Sequence, residues 1–355
     1  MGDLFIIANN PQLDKINFNF SENSEYPYFT RTEINNGLLG YVDYLDDNHL
    51  IKGNSLAVGM ISMYFHYISH DFYAGQFTKT AFPKFDGFNE AIALYFIVLL
   101  SKFQKTYQSV LVRDFEQTFY NSIVSLPTTN CKVNFSYMES FIRELEDERI
   151  RVLNAYLKIS GLDNTELTQA EVDAVQKLRK GEVQWKEFNV TDVFEVKNTR
   201  NIDSSSIIED SGKTPYLCAS AFNNGVSSYI TYKEEMLDQG NCIFIGGKTF
   251  VVSYQEKDFF SNDSHNLALY CNIPRTKLNQ LFLATCVSKS LGHKYTWGDS
   301  ISKTKIKKDK ILLPSTDGHI DFSMMETVIR AVQKLVIKDV VNYTNKNLRK
   351  GVFDK

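Results

Sequence analysis

YPYFTRTEINNGLLGYVDY, residues 26–44, returns as TPYLCASAFNNGVSSYITY, residues 214–232. Pro27 faces Pro215, Asn35 faces Asn223, Gly37 faces Gly225, and Tyr41 and Tyr44 face Tyr229 and Tyr232, every pair 188 residues apart. A register held over that distance marks a duplication. Upstream, Asp3-Leu4-Phe5 faces Asp192-Val193-Phe194. Downstream, Asn54 and Gly59 face Asn241 and Gly246, Leu126-Pro127 faces Leu313-Pro314, and Phe135, Met138 and Ile142-Arg143 face Phe322, Met325 and Ile329-Arg330 at an interval of 187. The repeat is therefore about half the chain, and the molecule is a tandem of two homologous units.

Each unit reads the same way. A β-rich stretch bounded by Gly, Asn and Asp comes first, exemplified by NCIFIGG and FVVSYQ; a short amphipathic helix follows, near 278–289 in the second copy. After the Leu-Pro comes a long helix. In the first copy, expected over 136–160, Met138, Ile142, Leu145, Val152, Tyr156 and Ile159 form an apolar stripe, and Met325, Ile329, Val332, Val336 and Val340 form its equivalent. Each stripe can pack on its own domain, or the two helices can pair in an antiparallel coil; equivalent exit points from equivalent units favour the coil. Between the copies, Thr168-x-x-Glu171 is a capping box and Gly181 a stop, so a helical connector is expected. The second unit opens with Trp185-Lys186-Glu187-Phe188 before Asp192, whereas only Met1-Gly2 precede Asp3, so the first unit is expected to lack one edge element.

The expected architecture is α+β: a pseudo-twofold tandem of two β-rich domains, 1–133 and 183–321, separated by two long antiparallel helices. The first helix and its connector occupy 134–182, and the C-terminal helix occupies 322–355. A chain of 355 residues with 43% hydrophobic and 23% charged residues suits two globular cores. Five cysteines without a Cys-x-x-Cys spacing argue against a disulfide framework or zinc knuckle. The apolar run at 91–100 is too short for a bilayer, and a cytoplasmic location is expected.

No reactive constellation is apparent. The nucleotide-binding glycine motifs, the Gly-x-Ser-x-Gly elbow and the Asn/Asp-Pro-Pro-Tyr segment of adenine methyltransferases are absent, and no metal set is expected. What remains suits reading rather than cutting. Residues 289–310 carry seven lysines against Asp299 and Asp309, interleaved with His293, Tyr295 and Trp297. Such a face is either merely solvated or a phosphate-backbone groove. The candidates for the groove are Lys294, Tyr295, Trp297, Lys303, Lys305, Lys307 and Lys308, with Arg113 and Gln117 as a weaker counterpart in the first copy, and Lys248 is a further candidate for DNA contact. Around the repeated Asn-Asn-Gly, Arg31, Thr32, Asn35, Asn36, Ser220, Asn223 and Asn224 offer groups that pair with base edges. The Asn-Asn-Gly itself suits a turn with Gly at positive φ better than it suits direct base contact.

The ordered recurrence of W-x-x-F…D-x-F, PY…NNG…Y…Y and LP…DF-x-x-M, split by GLDNTELTQAE, resembles the DNA-specificity (S) subunit of type I and type IIB-like restriction-modification systems. The similarity covers nearly the whole chain. It implies two target recognition domains, each reading half of a bipartite, asymmetric DNA site, with the helices fixing the unread gap. Roughly 25 helical residues at 1.5 Å each give about 38 Å, on the order of one turn of DNA. It also implies that methyltransferase subunits carrying S-adenosylmethionine dock on this chain, that a restriction subunit can join, and that the chain itself binds no cofactor and performs no catalysis. The alternatives are a catalytic DNA-modifying enzyme with an unrecognised motif and an assembly scaffold that does not bind DNA.

Overall fold

The structure is a computed structural model that describes residues 1–353, with side chains for all of these but 111, 112 and 349–353. The final two residues of the expected C-terminal helix lie outside it. The chain divides into two compact units, Met1–Leu153 with the residues from Asn347 on, and Asn154–Lys346.

In the first unit the strands are β1 (Phe5–Asn9), β2 (Tyr26–Phe29), β3 (Leu38–Val42), β4 (Ser55–Gly59), β5 (Phe65–Ile68), β6 (Tyr73–Ala74) and β7 (Thr78–Pro83). Helices α1 (Glu90–Ser101) and α2 (Gln104–Asn121), the short hairpin β8 (Thr128–Thr129) and β9 (Lys132–Val133), and α3 (Phe135–Ile159) follow. The strands form one sheet in the order β1-β7-β4-β5 and a second in the order β3-β2-β6. Strands β4 and β7 are apolar or neutral along most of their length because the sheet is covered. Phe5, Phe96, Phe115 and Phe119 fill the space between it and the helices, all fully buried.

The second unit begins with the end of α3 and continues through α4 (Gln169–Arg179), β10 (Trp185–Asn189), the single turn α5 (Val190–Val193) and β11 (Phe194–Asn198). Next come β12 (Thr214–Leu217), β13 (Val226–Ile230), β14 (Cys242–Ile245), β15 (Val252–Gln255), β16 (Phe260–Ser261) and β17 (Leu267–Cys271). The unit closes with α6 (Lys277–Leu291), the single turn α7 (Lys303–Ile306), β18 (Lys310–Thr316), β19 (His319–Ile320) and α8 (Phe322–Phe353). Its sheets run β11-β17-β14-β15 and β13-β12-β16. Those are the first unit's orders, strand for strand. Even irregularities recur: β2 runs parallel to β6 as β12 does to β16, and a register shift breaks the hairpin at Tyr28/Phe29 and at Tyr216/Leu217.

Two differences separate the copies. Strand β10 pairs antiparallel with β18, Trp185 opposite Pro314 through Asn189 opposite Lys310, and among the described residues the first unit has no counterpart of β10. There the Met1 amino group instead donates to Ser122 O at 2.6 Å. The second difference is α2, a five-turn helix where the second unit has a loop and the single turn of α7.

The long helices depart from the expected stripe. Met138 and Met325 sit in the cores of their own units, with Ile329 packed beside Met325's core, and Ile142 is buried as well. Farther along, Val152, Tyr156, Ile159 and Val336 stand exposed, Val336 at 74%. The covered positions are Leu157 on α3 and Ala331, Val341 and Thr344 on α8, with Ile150, Leu153 and Ile337 half-buried. Both helices carry two apolar rows about one position apart, and periodicity alone does not rank them. No helix among the described residues is long and apolar enough to cross a membrane.

Candidate nucleic-acid interface

The Asn-Asn-Gly segments build the same unusual turn twice. Asn35, Asn36 and Gly37 have φ of 51°, 53° and 78°; Asn223, Asn224 and Gly225 have 48°, 52° and 81°. Three successive left-handed residues are costly for side chains other than Asn, Asp and Gly, which explains the composition. Each first Asn stabilises its own turn: Asn35 Nδ2 donates to Leu38 O at 3.2 Å and Asn223 Nδ2 to Val226 O at 3.0 Å. The turn is then closed onto the preceding strand, Thr30 N to Gly37 O at 2.7 Å and Cys218 N to Gly225 O at 2.8 Å. The turn with Gly at positive φ is thus what the sequence led one to expect, and the donors of Asn35 and Asn223, candidates for base edges, are engaged within it. Asn224 is also engaged, its Nδ2 donating to Tyr254 O at 3.0 Å while buried Gln255 donates to Asn224 O at 2.9 Å. Position 68, which faces Gln255, is Ile, and Asn36 makes no side-chain hydrogen bond among the described residues. Gln255 is a site residue that the sequence pattern did not reveal.

A second loop abuts each turn. A Cβ on Gly59 would lie 2.7 Å from Arg31 Cα, and one on Gly246 would lie 2.6 Å from Ala219 Cβ, so the glycines permit matching close approaches. In the first unit Ser62 Oγ donates to Arg31 O at 3.2 Å, and Gln104 and Gln108 from α2 donate to Ser62 O at 2.7 and 3.1 Å. The exposed Arg31 guanidinium sits 5.3 Å from the Phe77 ring centre, and Thr32 Oγ1 accepts from Ile34 N at 3.2 Å. It is Gln104 and Gln108 that tie α2 to this loop; Arg113 and Gln117 stand exposed farther along the helix.

In the second unit Thr249 Oγ1 donates to Ala219 O at 3.0 Å, and Ser220 Oγ accepts from Phe222 N at 3.1 Å. Lys248 is paired with Asp263 at 3.2 Å. Phe250 stacks on Tyr295, centroids 5.4 Å apart, which carries the surface on into the lysine-rich segment. Turn 218–225, loop 246–250 and segment 292–309 are therefore joined by direct contacts.

That segment is more structured than a solvated face. Lys294 and the Tyr295 hydroxyl both donate to Asp309, whose side chain is buried. Tyr295 is corrected as a surface contact: it is 4% exposed, and burial together with the Asp309 carboxylate pushes its phenol well above the ordinary value. Lys305 is held by Asp299 and by Ser300 O, the latter at 2.9 Å, and Lys310 pairs with Glu187 at 3.3 Å. Lys303, Lys307 and Lys308 form no ion pair among the described residues, and Trp297, in the same segment, is 79% exposed.

The sequence profile of the type I restriction modification DNA specificity domain matches this chain twice, over residues 1–155 and 182–343. The chain belongs to that family. Its two profile matches are the two copies of the repeat. Among curated specificity-domain proteins, the type II restriction enzyme specificity subunit S.BcgI of Heyndrickxia coagulans is 28% identical over 154 residues, 42% of this chain and 44% of that protein. The chain thus matches under half the length of that relative. Among solved structures, the type I restriction-modification S subunit from M. genitalium superposes with a TM-score of 0.57 over 98% of this chain and 91% of that one. At 13% identity this likeness speaks for a shared specificity-subunit fold alone.

Proposed function

We propose that this chain is the DNA-reading subunit of a restriction-modification complex, in which each unit recognises half of a bipartite site and the chain performs no bond chemistry of its own. The observation that carries the proposal is the doubled loop joint: the same left-handed turn, wedged by a glycine against the same neighbouring loop, in two units whose exposed side chains there differ. A duplicated scaffold bearing unlike side chains suits the reading of two unlike half-sites. On this reading Asn36, Arg31 and Thr32 contact the first half-site, and Ser220, Lys248, Lys303, Lys307 and Lys308 the second, the lysines acting on phosphate. The long helices set the interval between half-sites, a role supported by the three-and-four spacing of Ile150, Leu153 and Leu157 on α3 and of Ile337, Val341 and Thr344 on α8. Methyltransferase subunits carrying S-adenosylmethionine dock on the chain and modify the site, and a restriction subunit can join the complex.

The test is selection from randomised duplexes by the full chain, with and without its methyltransferase partner, at several salt concentrations. Recovery of two short motifs at a fixed gap is the expected result. Equal retention of all sequences rejects the proposal. Methyl transfer by the chain alone would move it to the catalytic class.

A further inference from the structure

Trp297 is anomalous for a surface residue. Most of its indole is in water, yet everything around it is fastened. The ring sits on the two-residue tip of a tight turn, with Thr296 N donating to Asp299 O at 3.3 Å and Asp299 N to Thr296 O at 3.1 Å. On one flank Tyr295 is packed against Phe250 and bonded to the buried Asp309, which also receives Lys294. On the other, Lys305 grips Asp299 and Ser300 O. Asp309 is anchored in turn, its carbonyl accepting from Val190 N at 3.0 Å, at the end of β10. A buried carboxylate is costly unless its partners are well placed, so this mount is not incidental. It leaves the indole 79% exposed and fixes the turn that carries it, so that a large, flat, uncharged ring is held out in solvent.

Resting on the DNA-reading role proposed above, we infer that Trp297 is a stacking wedge that lies against the face of a nucleobase in the half-site read by the second unit. Lys303, Lys307 and Lys308, later in the same segment, have no ion-pair partner among the described residues and suit a polyanion. The indole brings no charge, so its own contribution is to base faces, where aromatic side chains stack without regard to phosphate. The matching stretch of the first unit, around residue 110, lies in α2 and presents no aromatic tip, so the two half-sites are engaged by different means.

The experiment uses the full chain and the duplex it selects. A Trp185→Phe background removes the other of the two tryptophans and leaves Trp297 as the only reporter. Its fluorescence is expected to be quenched by that duplex and unchanged by the methyltransferase partner alone. Trp297→Ala is expected to weaken binding about tenfold, in keeping with base–aromatic stacking, with the same salt slope and the same thermal midpoint, and Trp297→Phe to restore most of the loss. A 2-aminopurine in the second half-site is expected to brighten with the native chain and not with Trp297→Ala. Selective binding by the native chain with Trp297→Ala within twofold of it, or quenching by the protein partner in place of DNA, overturns the inference and leaves the DNA-reading role standing. Failure of that role looks different, because the native chain then selects no two-part duplex.

Discussion

At the residue scale, the repeated turn shows how one backbone requirement is met in two surroundings. Gly37 and Gly225 share a left-handed φ, so an alanine at either is strained by about 1–2 kcal/mol. Their neighbours differ. A Cβ at 37 would lie 2.8 Å from Cδ2 of the fully buried Phe29 and closer still to Cε2, whereas at 225 the nearest atom, Cys218 O, is 3.2 Å away. Gly37→Ala is therefore expected to cost about 3 kcal/mol or more and Gly225→Ala only about 1–2 kcal/mol in urea unfolding. Equal losses would mean that the Phe29 ring yields freely. The Gly-and-Asn chemistry of these turns was legible because it is local. What Asn224 does was not, since its carboxamide donates to Tyr254 O and its main-chain carbonyl accepts from Gln255, both some 30 residues away, where the other copy has Ile68 in place of Gln255. The burial of Tyr295 was hidden in the same way, because Asp309 and Phe250 come to it only through the fold.

Among elements, the connector was the most legible, since its caps are written in consecutive residues. Thr168 Oγ1 accepts from Glu171 N at 3.3 Å and Glu171 Oε2 from Thr168 N at 2.8 Å, the reciprocal box that starts α4. The sequence did not show that Glu171 is buried and paired with Lys334 of α8 at 2.8 Å, nor that Lys334 also donates to Glu166 O at 2.9 Å. Burial works to raise the Glu171 pKa, but Lys334 and the Thr168 amide outweigh it and leave the carboxyl below its ordinary 4.5. The unfolded chain then binds more protons at mildly acidic pH. Stability from this pair is accordingly full above about pH 4.5 and lost as pH falls through the lower folded value. Lys334→Met is expected to cost about 3 kcal/mol at pH 7 by stranding a buried carboxylate, against about 1 kcal/mol for Thr168→Ala. The Lys334→Met deficit should shrink in unfolding curves recorded near pH 3.5; a deficit that is flat with pH would refute the ion-pair account. The long helices were legible in extent but not in facing. Val152, Tyr156 and Val336 continue a helical period as well as Leu157, Val341 and Thr344 do, and only packing chooses between them.

For the whole molecule, the duplication carried most of what could be foreseen, because an in-register repeat fixes fold equivalence without fixing the fold. The edge element missing from the first unit was legible too, because only Met1-Gly2 precede Asp3 where Trp185-Lys186-Glu187-Phe188 precede Asp192, and among the described residues β10 has no counterpart there; what the repeat could not foretell is that the copies part ways at α2, where one sequence is helical and the other looped. That asymmetry has a consequence for binding. Replacing Lys303, Lys307 and Lys308 with alanine should weaken binding to all duplexes alike and flatten the plot of log affinity against log salt by up to about 0.9 per lysine, without changing base preference; an unchanged slope would remove these lysines from the phosphate contacts. The spacer role makes the complementary prediction, a change in gap without a change in contacts. Leu145 and Val332 occupy equivalent positions on α3 and α8, so four residues added after each lengthen both helices by about 6 Å at 1.5 Å per residue. At about 3.4 Å per base pair the preferred gap should grow by about two base pairs while both half-site motifs stay as they were. Duplex selection reads gap and motifs separately, so an unaltered gap with intact motifs would show that the interval is set by something other than these helices, and loss of one motif would show that the insertion had disturbed a reading unit rather than the spacer.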